Sequence, residues 1–357
     1  MLKLIRHGVA LILVVWLLTP GLSGSAQTNA PAFNNDNVRN LITLDKMRGH
    51  LLASISDWDA ARYDMAAQQS ADIANELYSI VANTLKQANL QDQFLTAANA
   101  YAMLSTQAGD SATVHAAYDK LTGVIGDAAK AFAPAAAFDD PAFRLSVAQG
   151  LLTGVDTEYN EGVVQGKLAS AVGYQNAVGF YQIAKEQYAA AQKSLQAAHP
   201  DVDKAVSTQY AALDKMLPAD FTKEPAQPAN PQDLETAITA IKTIVSSGLG
   251  LDLEAHRSVP EVLAAARTGL LDALDHYGNG KANDAYEAAS SAYLDNYEGL
   301  EVALRKKDSA LTDTLEQQFL SFGKLIKDGK PIDDLKALYG QIDSNLTKAQ
   351  DLLSAAS

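Results

Sequence analysis

The fold is decided by residues 48–85, which read RGHLLASISDWDAARYDMAAQQSADIANELYSIVANTL. Apolar residues recur there at the three- and four-residue spacing of an amphipathic helix, and alanine, the best helix former, fills many other positions. The same pattern continues along nearly the whole chain, without alternating strand patterns around Asn-Gly or Asp-Gly turns. The sequence therefore predicts an all-α protein, an elongated helical bundle built from paired antiparallel helices.

This stretch recurs later in the chain. A shift of 219 positions places residues 48–85 on residues 267–304. The aligned pairs are Arg48 with Arg267, Leu51 with Leu270, Trp58 with Tyr277, Ala66 with Ala285, Glu76 with Asp295, Tyr78 with Tyr297 and Leu85 with Leu304. We interpret this self-similarity as an internal duplication. Two generic amphipathic hairpins would be the alternative.

Proline clusters divide the chain. Four prolines lie within residues 217–232, and proline lacks the backbone donor that a helix interior requires, so this segment is predicted to be an extended linker. The predicted divisions are a signal peptide at 1–26, a first helical repeat at 27–130, a central helical pair at 131–216, a Pro-rich linker at 217–232 and a second helical repeat at 233–357.

The N-terminus has the pattern of an export signal. Lys3 and Arg6 precede an unbroken apolar run over residues 9–18, and the small residues Gly24-Ser25-Ala26 follow it. A bilayer span needs about 20 apolar residues, so the run is too short for a stable anchor. We expect cleavage before Gln27 and a mature protein that is soluble and periplasmic or secreted. An uncleaved anchor is the alternative.

Charge and composition exclude several classes of function. Without residues 1–26 the chain has 26 basic and 42 acidic residues, a net charge of −16. Such acidity argues against nucleic acid and anionic membranes as partners, because both call for basic patches. The absence of cysteine excludes thiolate metal sites and thiol catalysis. With no nucleophile motif and no phosphate loop, we expect that the protein is not an enzyme.

Two Glu-x-x-Glu pairs are the strongest candidates for a binding site. Glu158 and Glu161 form one pair, and Glu298 and Glu301 form the other. Residues three apart lie on the same face of a helix, so each pair directs two carboxylates to one place. Hard cations prefer oxygen ligands, and facing helices build carboxylate metal sites in bundles. A solvated acidic face is the alternative interpretation of each pair.

Three further acids are weaker candidates for metal ligands. Asp295 lies just before the second pair, while Asp72 and Glu76 form an (i, i+4) pair in the first repeat. Histidine gives no comparable pattern. His50 lies on an apolar helix, where a hydrogen-bonded core histidine is more common than a ligand.

Four stretches of the chain resemble the periplasmic region of bacterial high-affinity iron permeases. They are Met47-Arg48-Gly49-His50-Leu51-Leu52, the helix from Ala66 to Tyr78, Tyr174-Gln175-Asn176-Ala177 with Gly179-Phe180, and Ala292-Tyr293-Leu294-Asp295-Asn296-Tyr297-Glu298-Gly299-Leu300-Glu301. The resemblance implies a helical exported region that works beside a membrane permease. It also implies that iron, as Fe2+ or Fe3+, is the bound ion.

The chain departs from that family in two ways. The membrane helices of the permease are absent, so a stand-alone component is expected. Histidines and acids that the family tends to carry are replaced by Gln68, Gln69, Ser70, Gly173 and Asn176. We therefore expect a periplasmic iron-binding component that passes the ion to a membrane permease or another uptake component. A non-metal scaffold or partner-docking protein of the cell envelope, and a hydrolase related to imelysin-like proteins, are the alternatives.

Overall fold

The computed structural model describes residues 35–218, 220–221, 223–250 and 259–354, and the predicted signal peptide lies outside these ranges. The all-α class is confirmed. Within these ranges, no helix is long and apolar enough to cross a membrane. The α-helices are α1 Asn35–Asp59, α2 Tyr63–Asp72, α3 Tyr78–Gln87, α4 Gln91–Ser105, α5 Ser111–Phe132, α6 Pro141–Gly162, α7 Ala171–Ala198, α8 Pro200–Met216, α9 Pro231–Leu249, α10 Val259–Gly278, α11 Ala282–Ala292, α12 Glu298–Arg305, α13 Ser309–Lys327 and α14 Ile332–Ser354.

The first five helices form a four-helix arrangement that we call the N-terminal bundle. A π-helical turn, Ile73–Leu77, joins α2 to α3, so that the two helices form one interrupted arm. This arm packs between α1 and α4, and α5 closes the bundle against α1 and α4. Its core is continuous and contains Leu44, Phe94, Tyr101 and Ile125.

Helices α6 to α9 form the central bundle. The pair α6 and α7 is the most extensively packed, and α8 and α9 cover it. The predicted division of the chain placed α9 in the second repeat, but α9 packs into the central core, because Leu234, Ile238 and Ile241 are buried there. The Pro-rich segment therefore connects two helices of one bundle.

Helices α10 to α14 form the C-terminal bundle, which repeats the order of the N-terminal one. A π-helical turn, Tyr293–Tyr297, joins α11 to α12 as Ile73–Leu77 joins α2 to α3. The bundle has a separate core around Leu270, Leu315 and Phe322. The recurrence of helix order, including the π turn, agrees with the predicted duplication.

A short β-hairpin interrupts the helical pattern after α6. Strands β1 Val163–Val164 and β2 Lys167–Leu168 pair antiparallel. The two residues between them, Gln165 and Gly166, both have positive φ, which is the geometry of a tight hairpin turn. The hairpin turns the chain so that α7 runs back along α6.

Helix α1 belongs to two cores because it crosses α7 at very short range. A Cβ atom added at Gly49 would lie 3.0 Å from the backbone carbon of Gly179, and one added at Gly179 would lie 2.4 Å from the carbonyl oxygen of Gly49. Only glycine permits this approach. It brings Lys46 and His50 of α1 against the central bundle.

Candidate carboxylate site

The structure places the two Glu-x-x-Glu pairs on helices that contact each other. Glu158 and Glu161 lie in the last two turns of α6, and Glu298 and Glu301 lie in the first turn of α12, directly after the π turn. Because α12 packs on α6, the charges of Glu161, Glu298 and Glu301 influence one another. Three of the four predicted glutamates thus meet at one junction between the central and C-terminal bundles.

Glu301 is the most unusual member of this junction. Its side chain is only 1% exposed, and neither carboxylate oxygen has a hydrogen bond of standard geometry within the described part of the chain. Burial, followed by the charges of Glu161, Glu298 and Glu316, raises the pKa of Glu301 to about 9, and hydrogen bonding from the Tyr293 side chain opposes that rise. A buried carboxyl without a partner is costly in its charged form, so Glu301 is protonated at neutral pH in this arrangement.

Glu161 lies at the same junction on the α6 side. Burial, followed by the charge of Glu316, raises the pKa of Glu161 to about 7, and Arg305 opposes that rise. Arg305 pairs with Asp313 at 2.5 Å and lies 3.7 Å from Glu316. Glu316, on α13, was not predicted as a site residue. Its signal in the sequence is slight, since it is one acid among many on an amphipathic helix.

Glu298 is held by a lysine from the N-terminal bundle. The Lys46 Nζ atom donates to both carboxylate oxygens of Glu298, at 3.2 and 3.1 Å. Both side chains are largely buried, with 12% of Lys46 and 13% of Glu298 exposed. Sequence reasoning missed Lys46, because no local pattern links two residues 252 positions apart.

Glu158 faces a separate polar network on α7. Asn176 Nδ2 donates to Glu158 Oε2 at 3.1 Å, and Asn176 Oδ1 lies 3.1 Å from His50 Nδ1. Burial, followed by the charge of Lys46, lowers the pKa of His50 to about 3. The expectation of a hydrogen-bonded core histidine at position 50 is confirmed.

The remaining predicted ligands do not join the α6–α12 junction. Asp72 lies 3.9 Å from His50 Nδ1, and burial raises the pKa of Asp72 to about 7. The side chains of Glu76 and Asp295 lie outside the described part of the structure, so both stay predictions.

The α6–α12 junction contains the carboxylate oxygens that cations prefer, but these side chains are not arranged to coordinate an ion. Within the described ranges, no group of three or more histidine or acidic side chains is spaced to hold a metal ion. The carboxyls of Glu161, Glu301 and Glu316 have raised pKa values, and that of Glu298 is paired with Lys46. A cation that enters here would replace protons and an ammonium group with its own charge.

Comparison with protein families identifies one segment of the chain. Residues 134–252 match the family model of the iron permease-associated 4-helix bundle domain. Comparison with curated proteins and with solved structures found no match. The matched segment contains α6 to α9, which are the four helices of the central bundle, and it includes Glu158 and Glu161. The resemblance to iron permease proteins is thereby confirmed for the central bundle, which is similar to the iron permease-associated four-helix bundle domain.

Proposed function

We propose that the protein is an exported, non-enzymatic component of iron uptake that binds iron at the α6–α12 junction and passes it to a membrane permease. Glu161, Glu298 and Glu301 are the central ligands, with Glu316 beside them. The observation that carries this proposal is the carboxylate of Glu301, which is buried, has no hydrogen bond of standard geometry in the described structure and faces further acids.

The physical argument concerns how a buried acid is stabilised. Burial of a carboxylate without a partner is unfavourable, and a bound cation removes that penalty while its own desolvation is offset by oxygen ligands. Iron is preferred over calcium because the central bundle matches the model of an iron permease-associated domain. The carboxylates alone would not distinguish the two ions.

The other predicted ligands take secondary places in this proposal. Glu158 would contribute only after its hydrogen bond with Asn176 is broken. Asp72 lies in the polar network around His50. Asp295 and Glu76 stay as weaker candidates, as they were on sequence grounds.

A metal titration of the purified protein tests the proposal. We expect Fe2+, added under anoxic conditions, to bind more tightly than millimolar, and Glu301→Gln and Glu161→Gln each to weaken that binding at least about tenfold. Glu224→Gln serves as the control, because Glu224 is 43% exposed and lies on the connection between α8 and α9. Parallel titrations with Ca2+ and Zn2+ measure selectivity.

A structural role for the same residues is the competing function. The pairs Lys46–Glu298 and Arg305–Asp313 satisfy part of the junction, so the acids would then serve only to hold α12 in place. Binding no tighter than millimolar, or binding that is unchanged in Glu301→Gln, would contradict the iron-binding proposal and favour a scaffold or partner-docking protein.

A further inference from the structure

Within the described residues, the ion pair between Lys46 and Glu298 connects the N-terminal bundle to the carboxylate site. The Lys46 Nζ atom contacts both oxygens of Glu298, and both side chains are almost entirely shielded from water. The Lys46 ammonium supplies, beside Glu298, the positive charge that a bound cation would otherwise supply. Surface ion pairs contribute little, but a buried pair is screened far less by solvent.

The packing around Lys46 holds its ammonium at this position. A Cβ atom added at Gly154 of α6 would lie 3.0 Å from Lys46 Cε, so the lysine stem passes directly over a glycine. The ammonium also lies 5.8 Å from the centre of the Phe180 ring, within the range of a cation–π interaction. The Lys46 side chain is therefore packed against Gly154 and Phe180 where it crosses α6, and it reaches Glu298 with little conformational freedom.

A metal ion and an ammonium compete for the same carboxylate. If both approached Glu298, two positive charges would lie within a few ångströms of each other in a poorly hydrated site, where their repulsion is large. Metal binding at Glu298 therefore requires Lys46 to move away. The return of Lys46 would promote release of the ion.

We propose that Lys46 acts as a built-in competitor for the metal at Glu298, so that it sets the affinity of the carboxylate site and speeds release of the ion. This inference rests on the proposed iron-binding function. It assigns a positioning role to Lys46, and it explains an affinity for the ion that is low enough to permit transfer to a permease.

The test compares four variants of the full chain with the unmodified protein. Lys46→Met removes the charge and keeps an apolar stem against Gly154 and Phe180, and Lys46→Gln is a second neutral variant. Lys46→Arg retains the charge. The matched control is Lys242→Gln, because Lys242 is another partly buried lysine that contacts α6, through Thr153 Oγ1 at 2.7 Å. Thermal unfolding verifies that each variant is folded.

The measurements are the Kd for Fe2+ under anoxic conditions and the rate of Fe2+ release to an added chelator. We expect Lys46→Met and Lys46→Gln to bind Fe2+ at least about tenfold more tightly and to release it correspondingly more slowly. Lys46→Arg and Lys242→Gln should resemble the unmodified protein. A purely structural lysine would give weaker or unchanged binding in the neutral variants.

The outcomes separate the inference from the function on which it rests. If the unmodified protein binds Fe2+ but the folded neutral variants bind no more tightly, competition by Lys46 is wrong and the iron-binding function stands. If neither the unmodified protein nor the neutral variants bind, both proposals are wrong.

Discussion

At residue scale, Glu301 occupies a place that the first repeat gives to valine. The two π turns begin at Ile73 and Tyr293, a shift of 220 that is one position more than the shift found in the sequence. In this structural register Val81 corresponds to Glu301, and both are buried. An acid at an apolar core position lowers the stability of the protein. A buried carboxyl packs less well than valine, and it loses the hydration that an exposed acid has. A ligand for that acid would explain the exchange.

The first prediction concerns the pH dependence of stability. Glu301 has a pKa of about 9 when folded and an ordinary value of 4.5. The folded protein therefore holds a proton that the unfolded chain has lost, so the free energy of unfolding falls as pH rises from 4.5 to about 9. Glu301→Gln should raise that free energy by about 3 kcal/mol at pH 7, and by much less at pH 5.

Chemical denaturation of both forms at pH 5, 7 and 8.5, without metal, measures this difference. Glu224→Gln should show the same pH dependence as the unmodified protein. A difference between Glu301→Gln and the unmodified protein that stays constant across the three pH values would contradict the buried-acid explanation.

The second prediction concerns protons that leave when the cation binds. Glu301 and Glu161, with pKa values of about 9 and 7, carry protons near neutral pH, and metal ligands must be deprotonated. Fe2+ affinity should therefore rise between pH 6 and pH 8. Calorimetric titration in buffers of different ionisation enthalpy should report release of at least about one proton.

Two variants and one result make this second prediction specific. Glu301→Gln should release fewer protons, because the amide carries no titratable proton. Asp72→Asn should release as many as the unmodified protein, since Asp72 lies in the network around His50. Affinity that is independent of pH over this range would show that the ion binds elsewhere.

At the scale of elements, the crossing of α1 and α7 determines where Lys46 lies. Gly49 and Gly179 approach so closely that a Cβ atom at either would meet the backbone of the other helix. The third prediction is that Gly179→Ala separates these helices and lowers the free energy of unfolding by about 1–3 kcal/mol. Equilibrium denaturation measures the change.

The control for this third prediction is another helical glycine. A Cβ atom added at Gly123 of α5 would have nothing within 4 Å, so Gly123→Ala should stabilise by about 0.5–1 kcal/mol through helix propensity alone. Equal effects of the two substitutions would mean that close packing does not constrain the α1–α7 crossing.

Element boundaries were more predictable than tertiary contacts. Helix α5 begins after the capping residue Asp110 and α13 begins after the capping residue Asp308, and capping signals of this kind are local in the sequence. The π turns were not predictable, since periodicity does not reveal a shifted hydrogen-bond register. The spacing of each Glu-x-x-Glu pair was sufficient to propose a site, but Lys46 and Glu316 reach it only through tertiary packing.

At the scale of the whole molecule, α12 links the C-terminal bundle to both other bundles. Glu298 pairs with Lys46 of α1, and Lys306, directly after α12, pairs with Glu235 of α9. Helix α12 also packs on α6 of the central bundle. Since the C-terminal bundle has a separate core, its arrangement against the other two depends on the contacts around α12 and on the packing of α11 against α3.

The fourth prediction is that a bound cation fixes this arrangement. An ion held by Glu161 of α6 and Glu301 of α12 bridges two cores, so local opening of both helices becomes less frequent. Hydrogen exchange with saturating Fe2+ should slow at least several-fold over residues 154–162 and 298–305. Residues 111–132 of α5 lie in a different core and should exchange at an unchanged rate. Glu161→Gln should abolish the protection of α12 by removing one end of the bridge, whereas protection spread equally over all helices would indicate general stabilisation without a bridging ion.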